Sequence, residues 1–555
     1  MPNLAQGRIP IFTSLRQIDG LVRNLSIHSG GMIVTGERLD RMVPVQPATM
    51  AGRYVVEWDK DSIEDAGLCK CDILSIKFLG VLTEAVALIT KRTGKAIDLD
   101  DLPTDDTDVY AMLQRGDGIG VFQLESRANL QMLVRLKPKD MKDLAVQIAI
   151  IRPGPIQGGA VHPYLRRRAG EELSTPLHPL LEPVLRSTHQ IILFQEDVLR
   201  VAMTIANFTA SEADQLRRAM SRKRSDEAMQ AMHERFTAGA LANKVSLETS
   251  ETIWSHLQGF AQYGFLRSHA ASFALIAYQS AWLKAHYPAE LCAALLNHQP
   301  CGFYPPDTLI NDARQHSIRF LPVDINLSNW GYTVEDARTL RGGLQTVSGL
   351  GEIQGQRVID VRTEHPFTSL RDFCSRVRFP KSLTSDLIRA GLFDGMGERR
   401  QLLWELGEIP NLPDALEFEV PISQIQLPKL SELEAAVWDY ELTGTSAAGQ
   451  FMQHFRPALQ RAGVLTTAQT KTLSPGKRVR VAGMIVVKQR PQTATGITFI
   501  GLSDEHGMLD VVVRPDVYAG CRSVIRDASI LFVEGVVQKQ GEAVSVLAYE
   551  FAKGR

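Results

Sequence analysis

The stretch Gly67–Ile76, GLCKCDILSI, sets the reading of the whole chain, because it places a carboxylate inside an apolar run. Alternation at period two puts Lys70, Asp72 and Leu74 on one face of a strand and Cys69, Cys71 and Ile73 on the other. Burying a carboxylate costs several kcal/mol unless a partner compensates. Taken alone, Asp72 is either an ion-paired structural aspartate or a metal ligand, and the spacing leaves both open. Phosphoryl transfer by two metals needs several converging carboxylates, and one aspartate cannot hold two Mg²⁺ ions. Asp98, Asp100 and Asp101 in IDLDDLPTDD sit beside Pro103 and read as a solvated loop. Cys69 and Cys71 are spaced C-x-C rather than as a C-x-x-C clip, and 6 cysteines are too few for a disulfide framework. A reducing cytoplasm and no zinc are expected.

Outward from this strand, Gly30–Trp58 carries GGMIVTG and RYVVEW, short β-branched runs that predict strands joined by loops. From Leu82 to about Asn297 the apolar spacing is helical, with Ala270–Leu296 rich in Ala and Leu. IRFLPVDIN at Ile318–Asn326 predicts a short strand, and the run from Leu344 predicts a glycine-rich turn opening a helix. Pro410–Leu433 reads as a linker with some helix after it. Beyond Pro475, RVRVAGMIVVKQR, ITFIGLSDEHGMLDVVVRP and SILFVEGVVQKQGEAVSVLAYEF predict about five short strands, a small barrel.

With 555 residues the chain has room for about three to five domains. Its 44% hydrophobic and 22% charged residues exclude a disordered or collagen-like polymer. No apolar run reaches the roughly 18 to 20 residues that cross a bilayer, and Met1–Leu15 lacks a basic region followed by an apolar stretch, so neither a membrane nor a secreted protein is expected. Lys+Arg 61 against Asp+Glu 62 gives a net charge of -1, which can hide a basic channel in an acidic shell.

Four features stand out locally as candidate anion contacts. ADQLRRAMSRKR places Arg217, Arg218, Arg222 and Lys223 within about two helical turns, where clustered arginines without interleaved acids repel unless an anion is present; a solvated helix face is the alternative. Arg152, in IRPGPIQGGAVHPYLRRR, is held by a rigid Pro and Gly turn, or simply belongs to a structural loop. SGLGEIQG at Ser348–Gly355, with Ser348, Gly349, Gly351 and then Arg357, is a hairpin whose backbone N–H groups open toward an anion at a helix start, the form that grips a DNA phosphate without reading bases; a plain structural turn is the alternative. On the barrel, Lys477 and Arg478 begin a basic first strand that carries few aromatics, so single-strand binding and protein docking both fit.

Together NLSIHSGGMIVTG, KCDILSI, GVFQLESRANLQML, EADQLRRAMSRKRS and FAQYGFLRSHAASFALIAYQSAWLKAHYP resemble, in order, the bacterial C-family DNA polymerases, the polymerase III alpha subunits. GGAVHPYLRRR and NHQPCGFYPP favour the error-prone, damage-associated branch. The resemblance implies a multidomain α+β fold: end of thumb at 1–25, remnant of a nucleotidyltransferase-like palm at 26–88, large α-helical fingers at 89–300, a connector with short strands at 301–335, tandem helix-hairpin-helix at 336–405, linker and helices at 406–474, and an OB-type β-barrel at 475–553. It further implies that Asp72 is a catalytic, metal-holding carboxylate of the palm and Lys70 a triphosphate contact. Arg217 and Arg218, with Arg127 and Arg152, would meet the incoming nucleotide's phosphates.

Family members carry a phosphoesterase-like domain and a P-D-x-D-x-D-F strand upstream of the position matching Asp72, and neither is found in this sequence. The two-Mg²⁺ site is therefore expected to be incomplete, and the chain by itself to polymerise negligibly. Its implied partners are primer-template DNA, deoxynucleoside triphosphates, a sliding clamp and accessory error-prone polymerase proteins, with no membrane. QLLWEL at Gln401 is only loosely a clamp peptide, and a helix face explains it better. A non-catalytic DNA-binding or partner-docking remnant is the rival reading.

Overall fold

The computed structural model describes residues 27–28, 30–73, 76–151, 159–221, 226–261, 265–409, 426–491, 496–540 and 543–553. They form two units, divided between Lys77 and Phe78. In the first, β-branched and apolar residues extend β1 (Gly31–Val34), β2 (Val45–Pro47), β3 (Tyr54–Val56) and β4 (Cys69–Asp72). β2 and β3 form a hairpin, while β1 and β4 pair antiparallel with Gly31 opposite Asp72, Met32 opposite Cys71, Ile33 opposite Lys70 and Val34 opposite Cys69. The alternation read from GLCKCDILSI holds over the strand Cys69–Asp72; Leu74 lies outside the described residues. Gly31 matters because a Cβ there would come within 2.9 Å of His28 Nδ1 and 3.2 Å of Lys70 Cε.

The second unit opens with helices. One core gathers Val109, Leu133, Ile148, Ala274 and Tyr278 from the helices Thr107–Gln114, Arg127–Leu136, Met141–Ile150 and Arg267–His286. Small buried residues at Ala270, Ala274, Ala277 and Ala281 let the long helix Arg267–His286 pack closely against its neighbours. A second core, including Val201, Leu216, Phe236 and Trp254, joins the helices Gln195–Ala206, Ala210–Ser221, Asp226–Ala242 and Leu247–Ala261. The two are tied by Arg267, which donates to the fully buried Asp197 at 3.0 Å and lies over the Phe194 ring.

A three-stranded sheet of β5 (Arg319–Leu321), β6 (Thr333–Asp336) and β7 (Thr339–Arg341), in the order β5-β7-β6, precedes the helices Glu352–Glu364, Leu370–Val377, Lys381–Arg389 and Arg399–Glu408 around Phe373 and Phe393. Of the expected linker, residues 410–425 lie outside the described residues; a capping box of Ser431 and Glu434 starts the helix Glu432–Thr443.

β8 (Arg478–Gln489), β9 (Thr498–Asp504), β10 (Gly507–Val513), β11 (Ile530–Gln540) and β12 (Ala543–Lys553) close a barrel in the order β10-β12-β11-β8-β9. Between β10 and β11 the structure adds the helix Pro515–Asp527, which a barrel of strands alone does not include. Its signal was present: Pro515 at the first turn, then Val517, Cys521, Val524 and Ile525 at helical spacing, packed on the barrel core.

Gly239 sits where Asp226–Ala242 meets the end of Gln195–Ala206, and a Cβ there would fall 2.0 Å from the Ala206 carbonyl oxygen. Since the obstacle is backbone, Gly239→Ala should destabilise the chain by about 1–3 kcal/mol, read as a lowered midpoint in urea unfolding.

Candidate functional site

Asp72 ends β4 with its side chain 47% exposed, in an ion pair with Lys70 Nζ and 3.7 Å from His28 Nδ1. The shared strand face thus brings Lys70 and Asp72 together as the alternation predicts. Among the described residues the one group of three side chains able to converge on a metal is Asp117, Asp312 and His316, and Asp72 is not part of it. Asp72, facing an ammonium and an imidazole, does not by itself fit a pair of Mg²⁺ ions.

Arg217 and Arg218 project from the helix Ala210–Ser221, whose Ala213 and Leu216 are buried. Both hold Asp214: Arg217 Nη2 lies 2.8 Å and Arg218 Nε 2.7 Å from its carboxylate oxygens. The hydrogen bond from Arg217, then its charge and that of Arg218, keep the Asp214 carboxyl below the usual range. The arginine pair was read as lacking an interleaved acid; Asp214, one turn earlier in the same motif, is that acid and orients both guanidinium groups. Arg152, Arg222 and Lys223 lie outside the described residues. In the other basic run, Arg166 and Arg167 share Glu172, and Arg168 makes a two-pronged pair with Asp143. Arg127 is buried against the barrel: its guanidinium pairs with Asp510 of β10 and lies 4.6 Å over the Phe499 ring of β9. In this position the Arg127 guanidinium, for which the resemblance implies a phosphate contact, is engaged by the barrel.

At the hairpin, Gly349 takes φ +84° with nothing within 4 Å of an added Cβ, so the loop needs glycine for its backbone and stands open. Ser348 is anchored by its N–H to the Leu442 carbonyl at 2.7 Å. Gly351 caps the helix Glu352–Glu364, its N–H held by Gln354 Oε1 at 2.9 Å, and Arg357 is exposed in the second turn. Ser348, Gly349, Gly351 and Arg357 therefore form one open helix start. Lys477 and Arg478 are exposed where β8 runs beside β11, with Arg478 opposite Val536. Gln401–Leu406 lies in the helix Arg399–Glu408, with Leu402 and Leu406 in its core and Trp404 Nε1 donating to Glu408.

Comparison with known proteins assigns these parts. Residues 78–244 match the bacterial DNA polymerase III alpha subunit finger domain and residues 7–75 the bacterial DNA polymerase III alpha NTPase domain. The chain belongs to the bacterial DNA polymerase III alpha family. Residues 317–403 match a helix-hairpin-helix motif and residues 479–553 an OB-fold nucleic acid binding domain. The chain is 44% identical over 541 residues to an error-prone DNA polymerase of Corynebacterium efficiens, covering 96% of this chain and 50% of that protein. An error-prone DNA polymerase of Pseudomonas aeruginosa is 40% identical over 540 residues, covering 96% of this chain and 52% of that protein. The chain spans about half the length of the curated relatives it matches. Among the described residues no helix is long and apolar enough to cross a membrane.

A charge cluster that no motif announced joins Asp117 of the finger segment to residues beyond it. Lys284 Nζ, 4% exposed, lies 2.6 Å from Asp117 Oδ1 and 2.8 Å from Asp312 Oδ2 and donates to the Ile119 carbonyl. His316 Nε2 is 2.6 Å from Asp117 Oδ2. Burial alone would raise the Asp117 carboxyl, but Lys284 and His316 outweigh it and hold it well below the usual range. The ammonium supplies the positive charge that a metal would bring to this cluster. The cluster and Arg127 border a cavity of ≈ 460 Å³, together with Gln131, Tyr304, Lys471 and Asp510. Nearby, Glu125 is 8% exposed and accepts from the Phe303 and Gly120 N–H groups; burial, opposed by these bonds, raises it to about 7.

Two tests follow from these buried charges. Between 4.5 and about 7 the folded chain keeps a Glu125 proton that the unfolded chain releases, so this group's stabilisation is complete below pH 4.5 and is lost as pH rises to about 7. Glu125→Gln should flatten that part of the pH dependence of urea unfolding. Arg127→Ala leaves Asp510 buried without its cation and should cost about 3–5 kcal/mol, with part recovered when Asp510→Asn is added, read in a double-mutant cycle.

Proposed function

We propose that this chain is the nucleotide- and duplex-contacting part of an error-prone DNA polymerase of the damage-induced, translesion type. The observation that carries the reading is the collinear match, at 40–44% identity, of NTPase-domain, finger, hairpin and barrel segments to error-prone DNA polymerases over 96% of the chain. The parent reaction is attack of a primer 3′ hydroxyl on the α-phosphate of a deoxynucleoside triphosphate, releasing pyrophosphate. In this reading Asp72 is a catalytic carboxylate and Lys70 a triphosphate contact on the same strand face. Arg217 and Arg218, fanned out by Asp214, receive the nucleotide's phosphates. In the loop of Ser348, Gly349 and Gly351, which opens the helix Glu352–Glu364, the Gly349 backbone and the helix start face a duplex phosphate, with Arg357 adding charge in the second turn. Lys477 and Arg478 give the barrel a cationic edge for the template strand.

Asp72, paired with Lys70, lies outside the one three-ligand metal group of the described residues, which supports DNA binding without synthesis as the property of this chain on its own. Primer extension by the purified chain with Mg²⁺ should stay at background; template-dependent products lost in Asp72→Asn would overturn that expectation. Duplex binding should weaken steeply with salt, and Arg357→Ala should lower the slope of log affinity against log salt by about 1 across all sequences. Arg217→Ala with Arg218→Ala should leave duplex binding unchanged while abolishing nucleotide binding, measured by fluorescence anisotropy with labelled duplex and labelled triphosphate. Equal loss of both would misplace the phosphate site.

A further inference from the structure

The strand that presents Lys70 and Asp72 on one face presents two thiols on the other. Cys69 and Cys71 are both exposed, and their sulfurs are 3.9 Å apart. The other cysteines differ: Cys292 and Cys301 are buried, Cys374 and Cys521 half-buried. Two sulfurs bound to one metal at about 2.3 Å sit about 3.8 Å apart in tetrahedral and about 4.0 Å apart in trigonal geometry. The observed 3.9 Å separation is that bite, reached without moving the backbone. A disulfide would need the sulfurs at about 2.05 Å, across two strand residues whose Cα atoms span about 6.6–6.8 Å, the outer limit for such a bridge.

A third sulfur stands beside them. Met32 of β1 is directly opposite Cys71, hence on the same sheet face, and is 54% exposed. Residues so paired have Cβ atoms about 4.5–5.5 Å apart, within reach of a flexible thioether. Asp72 and Lys70 belong to the opposite face, so the strand sets the sulfur donors apart from its hard oxygen donor. Thiolate and thioether donors select soft cations, and a thioether beside two thiolates favours Cu(I) over Zn²⁺.

We propose that Cys69, Cys71 and Met32 form a chelate for one Cu(I) ion on the face of β4 opposite Asp72. Each thiol gives its proton to solvent as its sulfur binds, and no electron is transferred. An occupied chelate fixes the pleat of the four-residue strand that carries Lys70 and Asp72.

The test is competition for Cu(I) between the reduced chain and a chromogenic bidentate chelator, with Zn²⁺ in parallel. One equivalent should be withdrawn by the wild type, and Cys69→Ser or Cys71→Ser should weaken binding at least tenfold. Met32→Leu should weaken Cu(I) several-fold and leave Zn²⁺ unaffected. Independently of any variant, two thiols of the native chain should react fast with a disulfide reagent and be protected by Cu(I). Undiminished binding in the double serine variant, an unchanged Cu(I) affinity in Met32→Leu, or no protected pair of thiols in the wild type would each overturn the site.

Discussion

An ammonium almost sealed from water needs anionic partners, and Lys284 finds two, Asp117 and Asp312, at hydrogen-bonding distance. Each charge buried alone would cost several kcal/mol, so the three groups hold their parent segments in one arrangement. Lys284 belongs to the long finger helix, Asp117 to the turn after Thr107–Gln114, and Asp312 to Pro306–Gln315. That last helix carries Asn311 and Gln315, which donate to the Asp504 and Glu505 carbonyls of the barrel. One buried cation thus links the finger core, the helix after it and the seat of the barrel.

The barrel's seat has a functional consequence. In barrels of this kind the outer face of the second and third strands is where single-stranded nucleic acid is usually laid. Here those strands are β9 and β10, and their outer face is met by the fingers: Arg127 covers Phe499 and pairs with Asp510, and Gln131 also donates to Asp510. The stacking aromatic of that face is capped by a guanidinium instead of standing open to a base. The exposed cations Lys477 and Arg478 lie elsewhere, where β8 adjoins β11.

Much of this was legible locally. Period-two alternation in GLCKCDILSI placed Lys70 beside Asp72, and the glycines of SGLGEIQG announced an open helix start, because both are effects of backbone geometry over a few residues. The five barrel strands were visible for the same reason. The partner of Arg127 was not legible, because its motif reveals a cation but not the acid it meets: Gln131, one turn along, reaches the same Asp510 across 379 residues of sequence. Asp214 lies in the same motif, but its pairing with Arg217 and Arg218 depends on the helical turn that brings an acid three and four residues away onto their face.

Sequence alone determined the order of the parts, the pleat of β4, the helical character of the fingers and the conformation of the hairpin, because hydrophobic period and glycine placement act between near neighbours. Tertiary structure alone decided which charges are available. Arg168 is matched to Asp143 and Arg127 to Asp510, while Lys477 and Arg357 remain exposed. The reason is desolvation: a cation's fate depends on whether folding brings a carboxylate to it out of water, and that proximity is set by packing between segments far apart in the chain.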